Sequence, residues 1–160
     1  MDNDKLKIFK KRILITSILI FTISLFLPAF TANNEGPVGA LGCLLFGFTS
    51  ITKDLGGTAW FANIFIIFGW VYFLKSTLAS YFFSLIAFCF SLSFIFLDEV
   101  MLGEGGNFYT IIELNAGYYF WIASIVLLSI SSCIFLIKEK ITIKSVMKSV
   151  IKYWNDPGKS

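Results

Sequence analysis

From Ile13 to Phe30 the chain reads "ILITSILIFTISLFLPAF" without one Asp, Glu, Lys or Arg, and three later runs share that property. They are "AWFANIFIIFGWVYFL" (Ala59–Leu74), "TLASYFFSLIAFCFSLSFIFL" (Thr77–Leu97) and "GYYFWIASIVLLSISSCIFLI" (Gly117–Ile137). About 20 helical residues, at 1.5 Å each, cross the roughly 30 Å of bilayer hydrocarbon. Within lipid the backbone must bond to itself, so such runs predict helices. The predicted spans are therefore 12–30, 59–74, 77–97 and 117–137. Composition agrees, because 14% of residues are charged where a soluble domain carries about a quarter. The first run is too long for a signal-peptide core of roughly 7–15 residues and lacks a small-x-small cleavage site, so it reads as a retained helix.

Basic residues set the threading. With both termini cytoplasmic, every Lys and Arg except Lys53 lies inside, while Glu35, Asp54, Asp98, Glu99, Glu104 and Glu113 lie outside. That is the arrangement the positive-inside rule favours. Trp60, Tyr118, Tyr119 and Trp121 fall at outer span ends and Trp70 and Tyr72 near an inner one, where amphipathic rings anchor at headgroups. After Ile137, Lys140, Lys144, Lys148 and Lys152 recur every fourth residue. They give an amphipathic tail helix one basic flank for anionic lipid headgroups. The tail, 138–160, is read as a cytoplasmic unit apart from a transmembrane domain over 1–137.

Few residues suggest chemistry. Histidine is absent, which removes the commonest general base and metal ligand. Cys43, Cys89 and Cys133 are widely spaced and read as packing residues. The outer acids Asp98, Glu99, Glu104 and Glu113 lack EF-hand spacing and read as solvated loop charges. Phosphate-binding, nucleophile-elbow and zinc-protease motifs are missing. No cofactor, metal or nucleic-acid partner is expected. Two polar features remain. Ser80, Ser84, Ala87 and Ser91, spaced four, three and four, form a small-residue face suited to close helix packing. Asn63, the one amide inside a span, needs a hydrogen-bond partner or a polar pocket and marks, with Trp60, a candidate pocket. Between the first two spans, "GPVGALGCLLFGFTS" is too short to cross and reads as an interfacial or re-entrant segment over 37–50.

In the order "LFLPAF", "GCLLFG", "AWFAN" and "GYYFWIAS", the chain resembles a family of small, uncharacterised bacterial four-span membrane proteins. Ile64 stands where that pattern often has proline. The resemblance covers about residues 20–135, implies a bacterial inner membrane, and brings no activity with it. The expected fold is all-α: a four-helix transmembrane bundle with an outer interfacial segment and a C-terminal cytoplasmic amphipathic helix. The expected function is non-enzymatic, through helix contacts with a second copy or another membrane protein, as an accessory, immunity-like or assembly factor. An oligomeric pore or small-solute carrier using Asn63, Ser80, Ser84 and Ser91 is the alternative, and a membrane-embedded lipid enzyme a lesser one.

Overall fold

The computed structural model describes residues 3–50, 56–102 and 107–138. The elements are α1 (Asn3–Leu25), β1 (Pro28–Ala32), β2 (Gly36–Gly39), α2 (Ala40–Phe46) and a 3-10 turn (Gly47–Ser50). They continue with α3 (Gly56–Ala59), α4 (Phe61–Phe73), α5 (Thr77–Ser93) and a second 3-10 turn (Phe94–Phe96). The last are β3 (Glu99–Met101), β4 (Phe108–Leu114) and α6 (Ala116–Lys138). The expected tail helix lies outside the described residues.

Two expectations are overturned. The fold is mixed rather than all-α, since it contains a four-stranded antiparallel sheet. Among the described residues two helices, not four, are long and apolar enough to cross a membrane: Thr77–Phe96, of 20 residues, and Ala116–Lys138, of 23. Helix α1 reaches back to Asn3, but Lys10, Lys11 and Arg12 lie within it and it stops at Leu25. Its uncharged part, Ile13–Leu25, is about 20 Å long. Pro28 explains the early stop, because its ring holds Leu27 out of the helical region and it offers no N–H. Phe26 and Leu27 make the last turn, bonding back to Ile23 and Ser24 carbonyls, and Pro28–Ala32 continues as strand. The second run is helical over Gly57–Phe73, 17 residues, or about 26 Å against the ~30 Å required.

The sheet has the order β2-β1-β4-β3. In the β1–β2 turn the positive φ angles fall on Asn34 (66°) and Gly36 (76°), two residue types that tolerate them. β1 pairs with β4 through Phe30↔Leu114 and Thr31↔Glu113, which ties the end of α1 to the start of α6. Side chains alternate across the sheet. Phe30, Ala32 and Val100 are buried inward, with Val38, Tyr109 and Ile111 packed against them. Phe108, Thr110 and Ile112 are exposed on the other face.

Below the sheet, α6 packs between α1 and α5, and α5 packs against α4. The short Leu74–Ser76 link makes α4 and α5 an antiparallel hairpin, and the Ser76 hydroxyl caps α5 by accepting from Ala79 N at 3.4 Å. The interior holds Phe21, Ile66, Phe73, Ile125, Leu128 and Phe135. It also holds Ser17, Ser24, Ser80, Ser84, Ser91, Ser124 and Ser132, all without exposed surface. Large apolar side chains point outward instead, among them Leu19, Ile67, Val71, Phe82, Ile130 and Ile134. Small polar residues inside and bulky apolar ones outside is the distribution that suits lipid contact.

Candidate functional site

Most of the buried hydroxyls described are bonded within the chain, Ser129 Oγ being sealed without a partner. Ser80 Oγ donates to the Gly69 carbonyl at 2.9 Å and shares a 3.1 Å hydrogen bond with Ser132 Oγ. Ser84 and Ser91 donate to carbonyls three residues back, at 3.1 and 2.8 Å. The face of Ser80, Ser84, Ala87 and Ser91 thus lies wholly inside this chain's own bundle. At mid-bundle Trp70 Nε1 donates to Ser17 Oγ (3.0 Å), which donates to the Ser124 carbonyl (2.9 Å). Three helices meet there through one hydroxyl, which can donate once and still accept. At the far end Lys10 is buried, donates to Thr77 Oγ1 at 2.8 Å, and lies 5.1 Å from the Phe135 ring centre. That end also carries Lys5, Lys7, Lys11, Arg12, Lys75 and Lys138. Lys140, Lys144, Lys148 and Lys152 lie outside the described residues.

The sheet-capped end is built differently. Segment 37–50 is β2, then α2, then the 3-10 turn, and so is not one continuous interfacial helix. It roofs the bundle. Trp60 fixes the roof, because its Nε1 donates to the Leu44 carbonyl at 2.8 Å. Gly47 permits the contact, since a Cβ there would stand 2.9 Å from Trp60 Cδ1.

Under this roof lies a cavity of about 380 Å³. Its walls come from the end of α1 (Ser24, Leu25), the sheet (Ala29, Phe30, Val38, Val100, Met101), α2 (Cys43, Leu44, Phe46) and the helices below (Trp60, Asn63, Tyr118, Trp121). No described wall residue is charged. Sealed and empty, a void this size would cost up to about 9 kcal/mol at ~24 cal/mol per Å³. The cavity is not sealed but opens to its surroundings, so that cost is relieved when solvent, lipid or a ligand enters.

Most donors on the wall already have acceptors. Ser24 donates to Phe21 O (2.6 Å), Thr49 to Phe46 O (2.8 Å) and Tyr118 to Ser91 O (2.9 Å). Tyr118 and Trp121 therefore turn into the protein rather than toward headgroups, and only Tyr119 of the "GYYFW" group's tyrosines is exposed. Trp121 Nε1 donates to Asn63 Oδ1 at 2.9 Å, which fixes the amide's orientation. Asn63 Nδ2 is then left with two N–H groups and no acceptor among the described residues. The residue is 8% exposed, and Nδ2 is not among the sealed, unpartnered atoms. Asn63 is one of the residues on the cavity wall.

Cys43 shares that wall, and burial pushes its thiol up to about 11, so it is a poor nucleophile near neutrality. On the sheet's exposed side, Glu113 accepts from Thr31 Oγ1 at 3.2 Å, while Asp98 and Glu99 are exposed and Glu104 lies outside the described residues. Among the described residues no three Asp, Glu or Cys side chains come together.

Asn63 and Trp60 stood out in sequence as polar groups at a span end. The Asn63–Trp121 bond and the buried Lys10 had no sequence signal beyond residue type. Comparison with family models, curated proteins and solved structures finds no match to this chain.

Proposed function

We propose that this chain is a non-catalytic membrane protein that works by docking another membrane component, a second copy or a different protein, in an accessory, immunity-like or assembly role. It resides in the bacterial cytoplasmic membrane with its basic end toward the cytoplasm and its anionic lipids, and with the sheet outside. The observation that carries the reading is the outward face of β4. Phe108 and Ile112 are 54% and 64% exposed there, beside Thr110 and Glu113. A water-facing strand ordinarily alternates to polar residues on that side, and two large apolar side chains exposed on one such face favour a partner. A pore along the serine face has less support, because those hydroxyls already bond within the chain.

The test is site-specific photocrosslinking in cells, with the probe at Phe108 or Ile112 and, for contrast, at Ile130 or Ile134. Discrete protein adducts from the sheet positions, and lipid adducts alone from the helix positions, are expected. Absence of any discrete adduct at Phe108 and Ile112 refutes the reading, as does ion or solute flux through liposomes containing the purified protein.

A further inference from the structure

We infer that the cavity beneath α2 is a binding site for an acyl ester, with the apolar tail in the cavity and the ester carbonyl accepting from Asn63 Nδ2. The cavity's 380 Å³ falls within the ~300–1,000 Å³ of small-molecule sites. It has room for about a dozen water-sized groups at ~30 Å³ each, which suits one medium-length acyl chain. Phe30, Leu44, Phe46 and Met101 on the wall match a hydrocarbon rather than a sugar or a nucleotide. Polarity then selects the other end. Trp121 occupies one lone pair of the amide oxygen and fixes the amide, so the N–H groups of Asn63 Nδ2 are the donors still open, and a ligand oxygen satisfies them. With no described cation on the wall, an ionised carboxylate would enter uncompensated, at heavy desolvation cost. A neutral carbonyl accepts from one of the two N–H groups without bringing a charge into the apolar wall. Two sources share this chemistry: an esterified chain of a membrane glycerolipid, and a small free acyl ester.

The experiment uses the full chain in nanodiscs and takes native Cys43, which lines the cavity, as reporter. Cys89 and Cys133 are replaced by serine, and the rate of Cys43 alkylation by a small maleimide is followed at fixed pH. The host bilayer is made of ether-linked lipids, which carry no ester carbonyl. Ester-linked dimyristoyl phosphatidylglycerol and, separately, methyl laurate are then titrated in. A severalfold slowing of Cys43 alkylation by either is expected, and the one acting at lower mole fraction identifies the source. Asn63→Asp retains the acceptor for Trp121 and removes the amide donors. It should weaken protection about tenfold, the value of one buried hydrogen bond, with each rate taken relative to the same variant's own rate in ether lipid. Cys43 protection that is equal for ester and ether lipids, or unchanged in Asn63→Asp, overturns the assignment. So does alkylation that neither ester slows. Because the readout does not involve the outer face of β4, it succeeds or fails independently of docking there.

Discussion

Gly117 offers the sharpest test of how the sheet and the bundle are joined. It is the second residue of α6. A Cβ added there would stand 2.6 Å from the Pro28 carbonyl oxygen and 2.9 Å from that of Leu27. Both obstacles are backbone, so no side chain can rotate away, and α6 must retreat from the start of β1 by several tenths of an ångström. Such overpacking costs about 1–3 kcal/mol. Alanine recovers up to ~1 kcal/mol of helix propensity, less in a first turn, so Gly117→Ala should destabilise by about 1–2 kcal/mol net. The strain should spread, because the Leu27 carbonyl also accepts from Ala40 N at 3.1 Å and Ala29 O accepts from Asn115 N at 2.8 Å. The measurement is thermal unfolding in detergent followed by circular dichroism, where a drop of roughly 2–8 °C corresponds to that cost. Gly42→Ala is the control. Gly42 lies in α2 with nothing within 4 Å of an added Cβ, so the change should be neutral or slightly stabilising. If Gly117→Ala is as stable as the parent, or if both variants fall equally, the close crossing is not what holds the sheet to α6.

Lys10→Met and Thr77→Val should each lower stability by about 1 kcal/mol, and the double variant by less than their sum, since they share one bond. Trp70→Phe removes the donor to Ser17 and should cost about 1 kcal/mol by the same unfolding assay. Ser at both Phe108 and Ile112 should leave stability within about 0.5 kcal/mol while abolishing protein crosslinks from neighbouring Thr110. The Cys43 thiol sits near 11 when folded against an ordinary 9.0, so folding favours its protonated form. That contribution is complete below pH 9 and is lost as pH climbs through 11; Cys43→Ala should flatten a denaturation midpoint profile across this window.

The helical part of the fold was legible because uncharged runs leave the backbone no other option in lipid. The lengths were not, because hydropathy does not register where a helix stops. "LFLPAF" is apolar throughout, yet Pro28 converts its last residues to strand, and Lys10 and Lys11, ahead of the predicted span, belong to the helix. The sheet was missed for a related reason. "FYTIIEL" is rich in aromatic and β-branched residues, a strand signal in its own right, but it sits among Gly and Glu residues that suggest a solvated loop. β2 and β3, of four and three residues, are too short for period two to show. At the site, the serine spacing pointed to close packing without naming the partner helix, and Asn63 pointed to a pocket beneath segment 37–50 without showing its bond to Trp121. The roof depends on Gly47 meeting Trp60, a tertiary contact that local composition does not encode.

The pairing of β1 with β4 also sets a timetable. Thr31 and Glu113 stand 82 positions apart, so on a ribosome adding 5–20 residues per second the second strand follows the first by roughly 4–16 s. Through that interval the inner edge of β1 presents open N–H and C=O groups, and loop closure over such a separation is a slow step in folding. The sheet can close only once β4 has emerged, and the roofed cavity only after α6, which supplies Tyr118 and Trp121, has followed it. A nascent chain halted anywhere before Leu114 carries an unprotected strand edge, which makes that window the chain's point of greatest exposure to proteases and to other unpaired strands.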